Sequence, residues 1–250
     1  MNIDWDVDKY TRDFSCVPSY GEDVLKLIDL PKSSLVVDLG CGGGVLTNTL
    51  FQMGYQVLGI DSSEDMLLKS RETYPSIKFQ HSDALDFRLE NKADCIFSNA
   101  VFHWIDKDRQ LLLLENIAHN LKENGILVCE FGGYGCAKAV RGALERAFSE
   151  SGLEYKNSFY FPTIGEYAPL VESAGMRVEY AVLFDRPTPL KSGGVSDWIR
   201  MFIKAPFEGV EAKLTEKIIS RAAELTEPVL YKDGDWFVDY VRIRIKARKI

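Results

Sequence analysis

Three acidic residues and one glycine-rich turn carry the chemistry-bearing spacing in this 250-residue chain. Asp38 ends the apolar run Leu35-Val36-Val37. Leu39-Gly40-Cys41-Gly42-Gly43-Gly44 follows, with four glycines in five positions. Glycines at this density let the backbone turn sharply and bring bare N–H groups against a ligand. Asp61 ends the run Tyr55–Ile60, 21 residues past Gly40, and Asp83 follows the run Ile77–His81. A carboxylate at Asp61 is placed to accept from both hydroxyls of a ribose, and one at Asp83 from an adenine amino group. Asp38, just before the first glycine, would face a pyrophosphate unfavourably but suits an ammonium group. The three acids together outline an adenosine ligand with a cationic tail and no phosphates. Each acid taken singly also reads as a helix cap or a solvated strand end. A dinucleotide fingerprint, G-x-G-x-x-G, needs its third glycine where this chain has Val45. An NAD-dependent oxidoreductase is therefore the weaker alternative.

These residues need a scaffold that gathers strand ends, and the periodicity predicts one. Leu35–Asp38 is β-branched and lies beyond Pro31, as expected of a buried parallel strand. Val45–Phe51 reads as the helix after the turn. Further strands are expected at Tyr55–Ile60, Ile77–His81, Ala93–Ser98 and Ile126–Phe131. Helices are expected from Ser62 or Ser63 to about Thr73, and from Lys107 to Leu121, closed by Glu123-Asn124-Gly125. Right-handed crossovers then set all five carboxyl ends on one edge, where such sheets bind ligands. Strands at Met176–Phe184 and Trp236–Arg248 complete a doubly wound, mostly parallel, seven-stranded α/β sheet. The alternation breaks after Gly133. Helical insertions at about 135–160 and 189–230 are expected to form a lid on a single domain spanning 1–250. Thr163…Glu166 has the form of a capping box opening a helix to Ala174, which Pro169 should kink or delay. Two short helices fall within 4–30, the second from Glu22 to Leu30. Tyr10 and Phe14 sit at i, i+4 on the first, which either packs on the sheet edge or forms a flap placing Tyr10 on the ligand.

Composition narrows the partners. The chain has 30 basic and 37 acidic residues, a net charge of −7, and such a surface repels a phosphate backbone. Arg242, Arg244, Lys246 and Arg248 recur at period two, read here as one solvated strand face rather than a nucleic-acid site. No apolar run approaches the ~20 residues that span a bilayer, and the first residues are acidic and polar. The expected setting is cytoplasmic, without a membrane partner. Five cysteines without a CxxC pair fit reduced, buried thiols, and three scattered histidines predict no metal site.

With these motifs in place, residues 34–131 resemble the class I S-adenosylmethionine-dependent methyltransferases. Val36-Val37-Asp38-Leu39-Gly40-Cys41-Gly42 matches the family's first motif, Gly59-Ile60-Asp61 its second-strand acid, and Ser82-Asp83-Ala84 its third. The resemblance implies a Rossmann-like sheet and S-adenosyl-L-methionine as cofactor. It implies that Gly40, Cys41 and Gly42 cradle the methionine moiety, with Asp38 before them. Asp61 would bind the ribose and Asp83 the adenine amino group. Ala84, Met66 and Ser62 would pack the adenine, and Asn99 would lie near the sulfonium. Phe97-Ser98-Asn99-Ala100-Val101-Phe102-His103-Trp104 is similar to the small-molecule branch that includes trans-aconitate methyltransferases, as are Glu130–Gly133 and Phe184–Pro189. A small-molecule acceptor, in particular a carboxylate, is then expected. Ser98-Asn99-Ala100-Val101 lacks the Asn/Asp-Pro-Pro-aromatic motif of members acting on base amino groups. Methyl transfer asks the protein to align the acceptor and exclude water. His103, with Trp104 beside it, is a candidate orienting donor or base, and Arg186 a bidentate clamp for an acidic acceptor. Tyr160, Tyr231 and Trp236 read equally as pocket walls or core. A non-catalytic cofactor-binding regulator is the remaining alternative.

Overall fold

A computed structural model of the chain describes residues 23–190 and 193–250. Its first long-range pairing is the one the glycine turn demands. Strand β1 (Leu35–Leu39) leads through the turn into helix α1 (Val45–Gln52), then β2 (Gln56–Asp61), α2 (Glu64–Thr73), β3 (Lys78–His81) and β4 (Ala93–Asn99). Helix α3 (Gln110–Asn120) and β5 (Leu121–Gly132) follow. Beyond them come α4 (Lys138–Glu150), α5 (Ile164–Ser173), β6 (Met176–Leu190), α6 (Gly194–Phe202), α7 (Ala212–Leu230), the two-residue β7 (Tyr231–Lys232) and β8 (Asp235–Lys249). The sheet order is β3-β2-β1-β4-β5-β8-β6, with β7 paired to β8. The first five strands pair in parallel, and β8 joins both β5 and β6 antiparallel. This is the mostly parallel, seven-stranded Rossmann-like sheet expected.

Alternation along the strands explains the two layers of helices. Val37, Leu39, Ile96 and Leu127 point to one face, where Leu113 and Ile117 of α3 and Tyr167 and Val171 of α5 cover them. Val36, Cys95, Ile126 and Val128 point to the other, against Val24, Leu25 and the α1 residues Leu46 and Leu50. Each such side chain, fully buried, contributes roughly 1.5–3 kcal/mol. A third apolar cluster lies above the sheet: Val140, Leu144 and Phe148 of α4 meet Trp198 and Ile199 of α6 and Ile218 and Ala222 of α7. The two insertions thus pack on each other, and Trp104 from the loop after β4 joins them.

Several boundaries differ from the expectation for physical reasons. Lys107–Arg109 forms a 3-10 turn before α3, and the chain passes from Asn120 directly into β5. Glu123-Asn124-Gly125 therefore lies inside a strand rather than closing a helix, with Asn124 left-handed at φ 63°. Ser63, not Ser62, caps α2 by accepting from Met66 N. The capping box forms at Thr163 and Glu166, and α5 runs straight through Pro169. That proline removes the donor for the carbonyl of Gly165, but both residues are exposed, so water can satisfy it. Strand β6 continues past Phe184 to Leu190 because β8 offers it a partner as far as Trp236. It is the edge strand, where Pro187 and Pro189 leave no ladder bond unmade on the open side. Residues 23–25 are helical and 26–27 form a turn, with Val24, Leu25 and Ile28 buried. The expected first helix, with Tyr10 and Phe14, lies outside the described residues.

Candidate active site

The strand register brings the predicted acids to one edge. Asp38 pairs with Gly59 and Phe97, Asp61 with His81, and Asn99 with Glu130, so the carboxyl ends of β1 to β5 lie side by side. Gly40, Gly42 and Gly44 all have positive φ, at 78°, 50° and 77°. At Gly40 a Cβ would stand 2.3 Å from Val101 Cγ2, so neither the conformation nor the space admits a side chain. Nothing stands within 4 Å of a Cβ built on Gly42 or Gly43, which leaves open space over the turn.

Asp38 is 2% exposed and accepts a 2.6 Å hydrogen bond from Thr47 Oγ1 of α1. Burial raises its pKa to about 7 against the pull of that bond, and the charge of Asp61 adds to the rise. A buried carboxylate this poorly compensated is the partner an incoming ammonium would settle. Asp61 is also buried, and its pKa is raised by the same desolvation. Its Oδ2 accepts from Gly42 N at 2.8 Å and its Oδ1 from Ser63 N at 2.9 Å, which locks the carboxylate to the glycine turn while each oxygen keeps further acceptor capacity. The turn is tied from below as well: Gly40 N and Cys41 N both donate to Ile60 O, and Ser70 Oγ donates to Gly42 O. Asp83 organises its own loop through Leu85 N, with Ala84 and Met66 buried close to the same edge of the sheet and Ser62 half-buried. Open glycines, a buried acid in want of a cation and a strand-end carboxylate fit an adenosine ligand with an ammonium tail.

A second cavity begins one residue past Asn99. Ala100 has φ 62°, an uncommon conformation for alanine, and its N–H donates to Glu130 O at 2.7 Å. The cavity encloses about 50 Å³. Ala100, His103 and Trp104 form its floor, Phe159 and Phe161 one wall, and Trp198 and Phe202 of α6 the roof. Cys136, Ala137, Tyr240 and Arg242 complete it. Phe159 and Phe161 stack with centroids 5.2 Å apart, and Trp104 sits 4.7 Å from Phe159. His103 is 7% exposed, and Gly132 N–H donates to its Nδ1 at 3.2 Å. Burial drives its pKa well below the ordinary value, with the charge of Arg242 helping. The ring is thus neutral, and with Nδ1 accepting, the proton sits on Nε2. In that state Nε2 can donate a hydrogen bond.

Arg186, expected after the sixth strand as a clamp, lies inside β6, and its guanidinium grips Glu130 through both terminal nitrogens. Arg244 Nε donates to the same carboxylate at 2.8 Å, and Glu130 is 2% exposed. Nor is the basic row of β8 a solvated face: Arg242 is 8% exposed and Arg248 is bound to Glu179 and Asn124 O. Of the aromatic candidates, Tyr160 belongs to the sheet core, while Tyr231 is exposed and lies tilted against Trp236. The walls come instead from their unflagged neighbours Phe159 and Phe161, and from Trp198, Phe202 and Tyr240. That loop carries Tyr155, Phe159, Tyr160 and Phe161 without a regular period, so packing alone decides which rings turn inward. Among the described residues four cysteines are free and buried, no cluster could hold a metal, and no helix is long and apolar enough to cross a membrane.

Comparison with known proteins agrees with this geometry. Residues 36–125 match a family model described as a methyltransferase domain. An uncharacterised methyltransferase of Schizosaccharomyces pombe is 31% identical, over 98% of this chain and 98% of its own length. A trans-aconitate 2-methyltransferase of Variovorax paradoxus is 26% identical over 99% of each chain. Among solved structures, a Bacillus halodurans protein provisionally assigned as a methyltransferase superposes with a TM-score of 0.64 at 18% identity, covering 92% of this chain and 99% of that one, which is a likeness of fold.

Proposed function

We propose a reaction from the premise that this chain belongs to the methyltransferase-domain family and is an S-adenosylmethionine-dependent methyltransferase. The NAD-dependent reading falls with that membership. The proposed reaction is methyl transfer to the carboxylate of a small molecule, the chemistry named for the trans-aconitate relatives. The observation that carries it is the hydrogen bond from Gly132 N–H to His103 Nδ1. When bound, S-adenosylmethionine supplies a sulfonium methyl carbon that an acceptor oxygen displaces from sulfur, leaving S-adenosylhomocysteine. A phenol or amine acceptor would need a base to take its proton. His103 cannot serve: its Nδ1 is filled by Gly132 N–H and its Nε2 already carries hydrogen. A carboxylate arrives ionised and needs no base.

The chain's own residues then have three tasks. Asp38 would meet the cofactor's ammonium and Asp61 its ribose, while Gly40 and Gly42, on either side of Cys41, would present bare backbone to the methionine moiety. Asp83, Ser62, Met66 and Ala84 would surround the adenine. Asn99 and the strained Ala100 mark the boundary between the cofactor edge and the aromatic chamber, so that acceptor and methyl meet there. His103 and Trp104 orient the acceptor, and the helices α4, α6 and α7 exclude water, which matters because proximity and desolvation supply most of the protein's contribution to such a transfer. Calorimetric titration with S-adenosylhomocysteine tests the cofactor half: saturable one-to-one binding, weakened by Asp61→Ala, is expected. Absence of binding by the unaltered protein sinks the proposal.

A further inference from the structure

Arg242 has no place in the family motifs, yet it is the most anomalous group in the chamber. It sits on β8 opposite Gly132 of β5 and Phe184 of β6, and 92% of it is hidden from solvent. Its Nε is buried with no hydrogen-bond partner. Among the described residues its side chain makes no ion pair either; its guanidinium lies over the Tyr240 ring at 4.5 Å. A guanidinium cannot shed its charge by deprotonation, and a buried cation without a counter-charge is costly. Nearby arginines show the usual remedy, since Arg186 and Arg244 share the buried carboxylate of Glu130. Among the described residues, Arg242 is the one of the three without such a partner. It lines a cavity whose other walls are mostly aromatic rings, with Ala100, Cys136 and Ala137 between them, and His103 there is a neutral donor.

We infer that Arg242 is the acceptor-recognition residue, and that the acceptor is a compact monocarboxylate with an apolar, preferably planar, body. This rests on the methyltransferase reading and narrows its substrate class. The guanidinium would hold the carboxylate in its donor fork with His103 Nε2–H as a further donor. Trp104, Phe159, Phe161, Trp198 and Phe202 would clasp the body. A tricarboxylate is disfavoured: among the described residues the chamber offers one cationic side chain, so two further charges would be buried against rings. The guanidinium touches the substrate without taking part in bond making, so its effect belongs on KM more than on kcat.

The experiment is a fluorescence titration of the full chain saturated with S-adenosylhomocysteine, reading Trp104 and Trp198. The probes are benzoate, hexanoate, benzamide and trans-aconitate. Benzoate or hexanoate is expected to bind at least tenfold tighter than both benzamide and trans-aconitate. Arg242→Met should abolish that preference while S-adenosylhomocysteine affinity stays unchanged. Arg242→Lys should restore part of it, because the charge returns without the fork. Thermal unfolding controls for folding: removing a buried unpaired cation should leave Tm unchanged or higher, whereas a purely structural arginine would lower it. Equal binding of benzoate and benzamide, tighter binding of trans-aconitate, an Arg242→Met protein that keeps its preference, or no carboxylate binding at all would each overturn the assignment. Loss of S-adenosylhomocysteine binding in the unaltered protein would instead overturn the methyltransferase reading beneath it.

Discussion

Replacing Asp38 by Asn should stabilise the ligand-free protein and impair it as a cofactor site. The folded chain holds the Asp38 proton up to about pH 7, while the unfolded chain releases it near the ordinary aspartate value of 3.8. Between those values the folded state carries the extra proton, so stability falls as pH rises, and the full penalty is present above about 7. Some two pKa units of that window lie between about pH 5 and pH 8, and at ~1.4 kcal/mol per unit they amount to about 3 kcal/mol. Asn keeps the acceptor for Thr47 Oγ1 and carries no charge, so it should escape this loss. Urea unfolding of both proteins at the two pH values reads the difference directly, and comparing the differences cancels the similar contribution of Asp61. We expect Asp38→Asn to gain roughly 1–3 kcal/mol on the wild type on going from the lower to the higher pH, since the cost of the amide's unsatisfied N–H is the same at both pH values and drops out of the comparison. The same substitution should weaken S-adenosylhomocysteine by roughly 10- to 100-fold, the range for losing a hydrogen bond to a charged group. An Asp38→Asn protein equally destabilised at both pH values, or one that binds S-adenosylhomocysteine as well as the wild type, would refute the reasoning.

Three other outcomes follow from the same geometry. Because the ammonium needs Asp38 ionised, S-adenosylhomocysteine affinity should fall as pH drops below about 7, approaching tenfold per unit. A calorimetric series in which Asp38→Asn flattens that dependence checks it. Gly40→Ala should cost at least 1–3 kcal/mol by urea unfolding, since the new Cβ meets Val101 in a left-handed backbone. Glu130→Gln should cost about 3–5 kcal/mol, as it strands the guanidinium groups of Arg186 and Arg244. A loss under 1 kcal/mol would mean that the triad is far better hydrated than it looks.

The cofactor edge was legible in the sequence because every part of it is local. A β-branched run, a glycine turn and acids at strand ends are short-range signals, and the parallel register does the rest by setting those ends side by side. The acceptor chamber was not legible in the same way. His103 and Trp104 stand out because they follow β4 directly. Arg242 looked like one of four alternating cations on a wet strand, and only the antiparallel pairing of β8 between β5 and β6 makes its position interior. Arg186 looked free because β6 was expected to stop at Phe184, with no local sign that the strand continues through two prolines to meet β8. Trp198 and Phe202 come from an insertion more than 90 residues beyond Trp104, so no spacing rule joins them.

Base-free methyl transfer to a carboxylate leaves a methyl ester, and the lability of that product is the measurement that decides it. The protein is incubated with methyl-labelled S-adenosylmethionine and a small-molecule extract supplemented with benzoate and hexanoate, and the products are treated with mild alkali. A methyl ester releases its label as volatile methanol, and that release, abolished in Asp61→Ala, is the expected result. Label retained in an alkali-stable ether or amine would contradict the claim.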